Sequence, residues 1–127
     1  MPGLKISVVI PAFNEELALP ATLATLAAAC AAYAAVGGEA EVIVVDNAST
    51  DRTAEVAQAA GARVVVEPRP GVCFARNTGA AAASASLLFF LDADTDVPPD
   101  VLIAIDRAMQ DERCIGGAPA TSVVSRI

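Results

Sequence analysis

Four short apolar runs alternate with segments of helical character along this chain of 127 residues. The runs are of strand length, are bounded by turn residues and occupy positions 6–10, 42–45, 63–67 and 87–91. Strands that are apolar on both faces must be covered on both faces, and alternation with helices produces parallel pairing. We therefore predict an α/β fold with a mostly parallel sheet. A single domain is expected, because this length fits one compact core.

The segments between the runs carry signals of helix ends. Gly37-Gly38 ends the first helix, Pro98-Pro99 begins the last, and Ser49, Thr50 and Asp51 offer N-cap side chains for the second. The predicted helices span positions 20–35, about 51–60, 71–84 and 98–110, and positions 113–120 are predicted to begin a fifth strand and its turn.

Residues 17–36 form an uncharged stretch that is long enough to cross a bilayer as a helix. Half of the stretch is alanine, and Pro20 lies near its start. Its larger apolar residues recur at spacings of four and three, as Leu19, Leu23, Leu26, Cys30 and Tyr33. This spacing is typical of an amphipathic helix on a core, so we predict no transmembrane segment. No basic region precedes the stretch, which disfavours a secretory signal.

The composition excludes several classes of function. A net charge of −7 argues against sequence-independent binding of nucleic acid, which requires clustered Lys and Arg. Cys30, Cys73 and Cys114 are far apart and the chain has no histidine, which argues against zinc and against histidine-based nucleophile pairs. Isolated thiols of this kind are usually buried residues of a reducing compartment. We predict a cytoplasmic protein and leave open a peripheral position at the inner membrane face.

Two carboxylates, Asp92 and Asp94, directly follow the last apolar run. Carboxylates this close repel each other unless a cation joins them, and Mg²⁺ and Mn²⁺ prefer oxygen ligands. Polar pairs also follow the first two runs, as 14–15 and 46–47, and ligands of such sheets bind at the carboxyl ends of the strands. A metal with a phosphate substrate is one interpretation. A strand-ending turn in which the aspartates cap backbone amides is the other.

Three nucleotide or phosphate sites compete for this pattern. A dinucleotide-binding turn needs Gly-x-Gly-x-x-Gly, whereas positions 11–16 read PAFNEE, and no Gly-Lys-Ser/Thr of a P-loop occurs. The loop of aspartate-nucleophile phosphatases places a threonine one position later than Thr95 and follows the first strand instead of the last.

Four segments taken in order closely resemble the family 2 glycosyltransferases. They are residues 8–16 (VVIPAFNEE), 44–51 (VVDNASTD), 71–79 (GVCFARNTG) and 90–94 (FLDAD). The resemblance implies a GT-A fold, a Rossmann-like three-layer sandwich, with a nucleotide-diphosphate sugar as donor and Mn²⁺ or Mg²⁺ bridging the diphosphate.

The resemblance also implies roles for individual residues. Pro11, Ala12 and Glu15 would line the base and ribose pocket, and Asp46 would accept a hydrogen bond from the base. Arg76 would lie near the base or the diphosphate, although a solvated helix residue is the alternative. Asp92 would face the ribose or a water on the metal, and Asp94 would be the direct metal ligand. For Asn77 and Asp96, a local structural role is as good an interpretation as a role in ligand binding.

The matched segments are those of the donor half of the family's domain. Residues 1–127 are therefore predicted to be a nucleotide-sugar-binding half, truncated relative to the family, with the catalytic base expected beyond Ile127. Two functions stay open. One is an inverting glycosyltransferase acting on a saccharide or lipid-linked acceptor. The other is a catalytically silent nucleotide-sugar-binding or assembly module, whose incomplete sheet edge would favour a homo-oligomer.

Overall fold

The computed structural model describes residues 3–110, 116–117 and 122–126, the last two ranges as backbone only. Within these residues the strands are β1 (Lys5–Ala12), β2 (Glu39–Asp46), β3 (Arg63–Val66), β4 (Leu87–Leu91), β5 (Gly116–Gly117) and β6 (Ser122–Arg126). The helices are α1 (Leu19–Ala35), α2 (Thr53–Ala59), α3 (Val72–Ala82) and α4 (Val101–Met109). The predicted strands and helices are confirmed. Of the predicted fifth strand, Gly116–Gly117 is observed, and the rest of positions 113–120 lies outside the described residues.

The sheet has the strand order β3-β2-β1-β4-β6-β5. Strands β1 to β4 pair parallel with one another. Strand β6 pairs antiparallel with β4, and β5 pairs antiparallel with β6. The mostly parallel sheet is therefore confirmed. The edge of β4 that would have been open is covered by β6, which removes one argument for self-association through a sheet edge.

Helices cover both faces of the sheet. On one face, α1, α2 and α4 bury the larger apolar cluster, which includes Leu26 of α1, Phe89 of β4 and Leu102 of α4. On the other face, α3 packs against β1 and β2 through Ala75 and Gly79, both buried. This three-layer arrangement is the one that a sheet apolar on both sides requires.

The predicted apolar stripe of α1 faces the larger cluster. Leu19, Leu23, Leu26 and Tyr33 are buried, while Cys30 is only partly buried. None of the helices in residues 3–110 is long and apolar enough to cross a membrane.

The prediction of buried thiols is wrong for Cys73, which is exposed. Cys73 lies in the first turn of α3 on the side away from the sheet, because Ala75 and Gly79 occupy the side that packs. Burial raises the pKa of the Cys30 thiol. Cys114 lies outside the described residues.

The predicted N-caps of α2 are also corrected. The helix begins at Thr53, and the N-cap residue, Arg52, makes no side-chain cap hydrogen bond. Ser49 and Thr50 instead bond to Asn14 in the loop after β1. Of the three candidates, Asp51 alone bonds to the start of the helix, accepting a hydrogen bond of 3.0 Å from the Thr53 amide. Ser49 therefore does not cap α2, because its hydroxyl bonds to Asn14, which is 35 residues away in sequence.

Two polar networks tie the amino end of the sheet together. Glu41 Oε2 accepts hydrogen bonds from the hydroxyl of Ser7 at 2.5 Å and from the amide and hydroxyl of Ser84 at 2.7 and 2.6 Å. Burial opposes ionisation of Glu41, but these hydrogen bonds outweigh it and lower its pKa to about 2. In the second network, the Tyr33 hydroxyl lies 2.7 Å from Asp106 Oδ2. Both networks lie far from the carboxyl ends of the parallel strands.

Candidate functional site

The topological switch point of the sheet lies between β1 and β4. The chain moves from β1 to β2 to β3 in one direction and returns through α3 to β4 on the other side of β1. Loops that follow β1 and β4 therefore diverge at their carboxyl ends and open a crevice, which is where such folds bind ligands. Ala12 pairs with Asp46 in the adjacent strand, and Val9 pairs with Phe90. Asp46 and Asp92 thus flank the end of β1.

The loop after β1 is fastened to the loop after β2. The Asn14 amide donates to Ser49 Oγ at 3.0 Å, and the Thr50 amide donates to Asn14 Oδ1 at 2.8 Å. The Glu15 amide donates to Thr53 Oγ1 at 2.9 Å. Asn14 has a φ of 51°, a left-handed conformation that asparagine tolerates better than most residues. These bonds fix the backbone that carries Glu15.

A cleft of about 370 Å³ lies at this edge of the sheet. Its walls come from the end of β1 and its loop, from the residue after β2, and from the turn between β3 and α3. The lining residues are Pro11, Ala12, Phe13, Glu15, Asn47, Pro70, Gly71 and Val72. Three of the residues predicted for the nucleotide, Pro11, Ala12 and Glu15, are therefore brought together in one cleft.

The pKa of Glu15 reflects the arrangement of the acidic residues around it. Its pKa is raised, first by burial and then by the negative charges of Asp94 and Asp51. Asp94 follows β4 and Asp51 follows β2, so carboxylates from three loops share one electrostatic environment. The sequence predicted this convergence for Asp94, whereas it treated Asp51 only as a helix cap.

The loop after β4 presents Asp92 and Asp94 to solvent. Both are exposed, while Ala93 between them is buried and its carbonyl accepts a hydrogen bond of 2.8 Å from the Thr22 hydroxyl of α1. Within residues 3–110, neither carboxylate accepts a hydrogen bond, and the Thr95 amide bonds to the backbone carbonyl of Asp92 at 3.2 Å. Among the described residues, these aspartates therefore cap no backbone amide, contrary to the second interpretation.

Arg76 extends from α3 towards β4. Its guanidinium carbon lies 5.9 Å from the centre of the Phe90 ring, two residues before Asp92. Its Nε is buried and has no hydrogen-bond partner within the described part of the chain. A buried donor without a partner is costly, and a bound anion would satisfy it. Arg76 is half-buried and is not the solvated helix residue of the alternative interpretation, whereas Asn77 beside it is exposed.

Asp46 is half-buried beside Ala12. One of its oxygens, Oδ1, accepts a hydrogen bond of 3.2 Å from the Ser49 amide. The second oxygen accepts no hydrogen bond from residues 3–110, so it can accept one from a ligand.

The lining residues Phe13, Pro70 and Val72 were missed by the sequence analysis. The Pro70-Gly71 pair directly before the third helix was the signal that could have found the last two.

A divalent metal fits the site only as a shared ion. In the described residues, no group of three or more His, Cys, Asp or Glu side chains is arranged to hold a metal by itself. A metal that bridges phosphates needs only one or two protein carboxylates, because phosphate oxygens and water complete its coordination. Asp92 and Asp94 meet this smaller requirement, being exposed and without hydrogen bonds to the described chain.

Comparison with known proteins gives the family. The profile described as Glycosyl transferase family 2 matches residues 7–125. This chain belongs to glycosyl transferase family 2. An uncharacterised glycosyltransferase of Mycobacterium bovis is 46% identical over 94 residues, which is 74% of this chain and 38% of the relative. Undecaprenyl-phosphate 4-deoxy-4-formamido-L-arabinose transferase of Pseudomonas aeruginosa is 35% identical over 123 residues, 91% of this chain and 35% of the relative.

Solved structures of glycosyltransferases share the fold. Glucosyl-3-phosphoglycerate synthase of Mycobacterium tuberculosis, in complex with Mn²⁺, uridine diphosphate and glucosyl-3-phosphoglycerate, has a TM-score of 0.65 and 34% identity over 80% of this chain and 38% of that one. TarS of S. aureus has a TM-score of 0.74 at 22% identity over 91% of this chain and 38% of that one, a likeness of fold alone. The GT-A fold is thus confirmed. This chain spans little more than a third of the length of these relatives.

Proposed function

We propose that this chain forms the donor-binding half of a glycosyltransferase domain that takes a sugar from a nucleoside-diphosphate carrier. The observation that carries the proposal is the cleft at the end of β1, which is lined by Pro11, Ala12 and Glu15. The pKa of Glu15, raised by burial and then by the charges of Asp94 and Asp51, supports it. The effect of these two charges on Glu15 supports a site near which acidic groups from three loops come together. Family membership supports a nucleotide sugar as the occupant of that crevice.

Each predicted residue would contact a different part of the ligand, Asp46 and Arg76 from outside the lining of the cleft. Pro11 and Ala12 provide backbone and apolar contact for the base and ribose, and Glu15 lies at the ribose end. Asp46 offers a free carboxylate oxygen to an imide N–H of the base. Arg76 offers the diphosphate a buried Nε that has no partner among the described residues. Uridine diphosphate is the carrier we expect, because it occupies the glucosyl-3-phosphoglycerate synthase structure.

Asp94, with Asp92 beside it, would hold a divalent metal, Mn²⁺ or Mg²⁺, against the diphosphate. When bound, such an ion supplies stabilisation of the charge that develops on the leaving nucleoside diphosphate. The carboxylates position the ion, and their exposure leaves room for the phosphate oxygens. The neighbour that contains Mn²⁺ supports this choice of metal.

We assign neither the acceptor site nor the catalytic base to residues 3–110. We expect one-step displacement with inversion at the anomeric carbon, with a carboxylate base that activates the acceptor hydroxyl. A saccharide or lipid-linked acceptor is expected. The Pseudomonas relative is a transferase to undecaprenyl phosphate, which favours a lipid-linked acceptor and a position at the inner membrane face.

The second candidate is a nucleotide-sugar-binding module without turnover. The observation that favours it is the share of the relatives that this chain covers, 38% for the Mycobacterium bovis protein. Release of labelled glucose from UDP-glucose in the presence of Mn²⁺ would favour the enzyme. Binding of UDP without any turnover would favour the module.

Calorimetric titration with UDP, with and without Mn²⁺, tests the proposed site. Asp94→Asn is expected to abolish the gain in affinity that Mn²⁺ gives. Asp46→Ala is expected to weaken UDP binding about tenfold even without metal, which corresponds to about 1.4 kcal/mol for one hydrogen bond to the base.

Glu39→Gln is the control, since it removes the same charge at the other end of β2, roughly 23 Å from Asp46. It should leave both affinities unchanged. Failure of the wild-type protein to bind UDP at millimolar concentration would refute the proposed function. Equal effects of Asp94→Asn and Asp46→Ala on metal-free binding would contradict the assigned roles.

A further inference from the structure

Asn47 is a buried residue whose side-chain amide makes hydrogen bonds through both of its polar atoms. It follows β2 directly and is 6% exposed. Its Nδ2 donates to the carbonyl oxygens of Glu67 and Arg69 at 2.9 and 2.8 Å, and its Oδ1 accepts from the Gly71 amide at 3.1 Å. Its own amide donates to the Ala12 carbonyl at 2.8 Å. One residue therefore bonds to the end of β1 and to three positions of the turn between β3 and α3.

These two segments are the opposite walls of the cleft. Pro11 and Ala12 line it from β1, and residues 70–72 line it from the turn before α3. The strand order places β2 between β1 and β3, so the two walls cannot hydrogen-bond to each other through the sheet. Asn47, at the end of the intervening strand, makes contact with both. Its bonds hold the two walls at a fixed separation, together with the bond of 3.0 Å from the Glu67 amide to the Asp46 carbonyl.

We propose that Asn47 is a positioning residue that sets the width of the nucleotide cleft by holding the β3–α3 turn against the end of β2. The proposal rests on the proposed function for the identity of the ligand. No other side chain of the same size supplies two N–H donors and one acceptor from a single planar group. An aspartate would direct two carboxylate oxygens at carbonyl oxygens, and an alanine would leave two carbonyls and one amide without partners.

The rest of the turn has its own anchor. Glu67 is buried and accepts hydrogen bonds from the Arg69 side chain at 3.2 and 2.8 Å and from the Thr78 hydroxyl of α3 at 2.6 Å. The Arg69 guanidinium also lies 4.3 Å from the centre of the Phe74 ring. This anchor joins the turn to α3. Within the described residues, the Glu67 amide donates to the Asp46 carbonyl at 3.0 Å, and the Asn47 side chain alone bonds residues 69 and 71 of the turn to the end of β2. Loss of the Asn47 amide should therefore loosen the wall and leave the fold intact.

The test compares Asn47→Asp and Asn47→Ala with the wild-type protein by calorimetric titration with UDP, with and without Mn²⁺. Both variants are expected to bind UDP at least tenfold more weakly in either condition. The ratio of the two affinities should stay that of the wild-type protein, because Asp92 and Asp94 lie in a different loop. Gln58→Glu makes the same amide-to-carboxylate change on the exposed face of α2 and should have no effect.

Hydrogen exchange separates this proposal from the proposed function. The Gly71 amide bonds to Asn47 Oδ1, so its protection in the wild-type protein reports that bond. Protection should fall at least tenfold in Asn47→Ala, with the amides of β1 unchanged. If the wild-type protein binds no UDP, the proposed function fails and the exchange result still judges the role of Asn47.

Three results would overturn the positioning role. The first is UDP affinity within threefold of wild type in a folded variant. The second is loss of the Mn²⁺ effect in the Asn47 variants, which would mean that the damage is not confined to one wall. The third is a Gly71 amide that exchanges in the wild-type protein as fast as an exposed turn amide, which decides the matter even if neither variant folds.

Discussion

Gly79 is the closest point of approach between α3 and the sheet. A Cβ at this position would lie 2.3 Å from Val9 Cγ1 and 3.0 Å from Val45 Cγ2, whereas ordinary contact begins at 3.4 Å. Val9 is fully buried in β1, which is paired on both sides, so it has no room to yield. Gly79→Ala therefore requires α3 to move away from the sheet by about 1 Å, since packed interiors have few voids that would absorb a methyl group.

Two opposing effects determine the size of the change. Overpacking of a core by added methyl groups costs about 1–3 kcal/mol. Alanine is better than glycine in a helix interior by about 1 kcal/mol. The expected net result is a loss of about 1 kcal/mol in the free energy of unfolding, which lowers the Tm by about 4 °C for a domain of this size.

Urea unfolding followed by circular dichroism measures this loss. Ala81→Gly, at an exposed position in the last turn of the same helix, is the control for the helix-propensity effect, which is at most about 1 kcal/mol there. Arg76 lies one turn before Gly79, so displacement of α3 should also weaken UDP binding. A Gly79→Ala protein that is more stable than wild type, by the amount that Ala81→Gly loses, would refute the close packing of α3.

Three further predictions concern titrating groups. The pKa of Glu15, raised by burial and by the charge of Asp94, should fall in Asp94→Asn when the side-chain carboxyl carbon is followed by NMR. Glu41 has its pKa lowered from 4.5 to about 2, so its stabilisation is present above pH 4.5 and is lost as the pH falls towards 2. The stability difference between wild type and Glu41→Gln in urea should narrow over that interval. Tyr33 is the single tyrosine and the chain has no tryptophan, so ultraviolet absorbance should show a phenol pKa well above 10, raised by burial and by Asp106.

Each of these has a contradicting outcome. An unchanged Glu15 pKa in Asp94→Asn would mean that the charge of Asp94, in the loop after β4, does not act on the cleft. A constant stability difference between pH 5 and 2 would mean that Glu41 is not held by Ser7 and Ser84. A Tyr33 midpoint near 10 would place its hydroxyl in water.

Much of the fold was predictable because the signals are local. Runs of β-branched and aliphatic residues predicted β1 to β4, and the spacing of apolar residues in α1 predicted the face that it buries. The antiparallel strand β6 was missed, since residues 122–126 are short and carry no turn signal that separates a strand from a loop. The cap positions of α2 were misjudged because Ser49 and Thr50 bond to Asn14 instead.

The candidate site was predictable in part for the same reason. Asp92 and Asp94 could be assigned to a strand end from their sequence neighbours alone. The residues that carry the family resemblance lie in four short segments. The burial of Arg76 Nε, without a partner in the part of the chain that the structure describes, and the bonds of Asn47 could not be predicted. Both depend on residues that are distant in the chain and meet only in the folded sheet.

The sequence by itself determined that this chain alternates strands and helices and that its acidic residues stand at strand ends, because hydrophobic periodicity and turn chemistry act over a few residues. Tertiary structure alone decided that β1 lies between β2 and β4. That order brings Glu15 under the charge of Asp94 and places Asn47 between the two walls of the cleft. Strand order is set by the packing of helices on the two faces of the sheet, a property of the whole chain that no short segment contains.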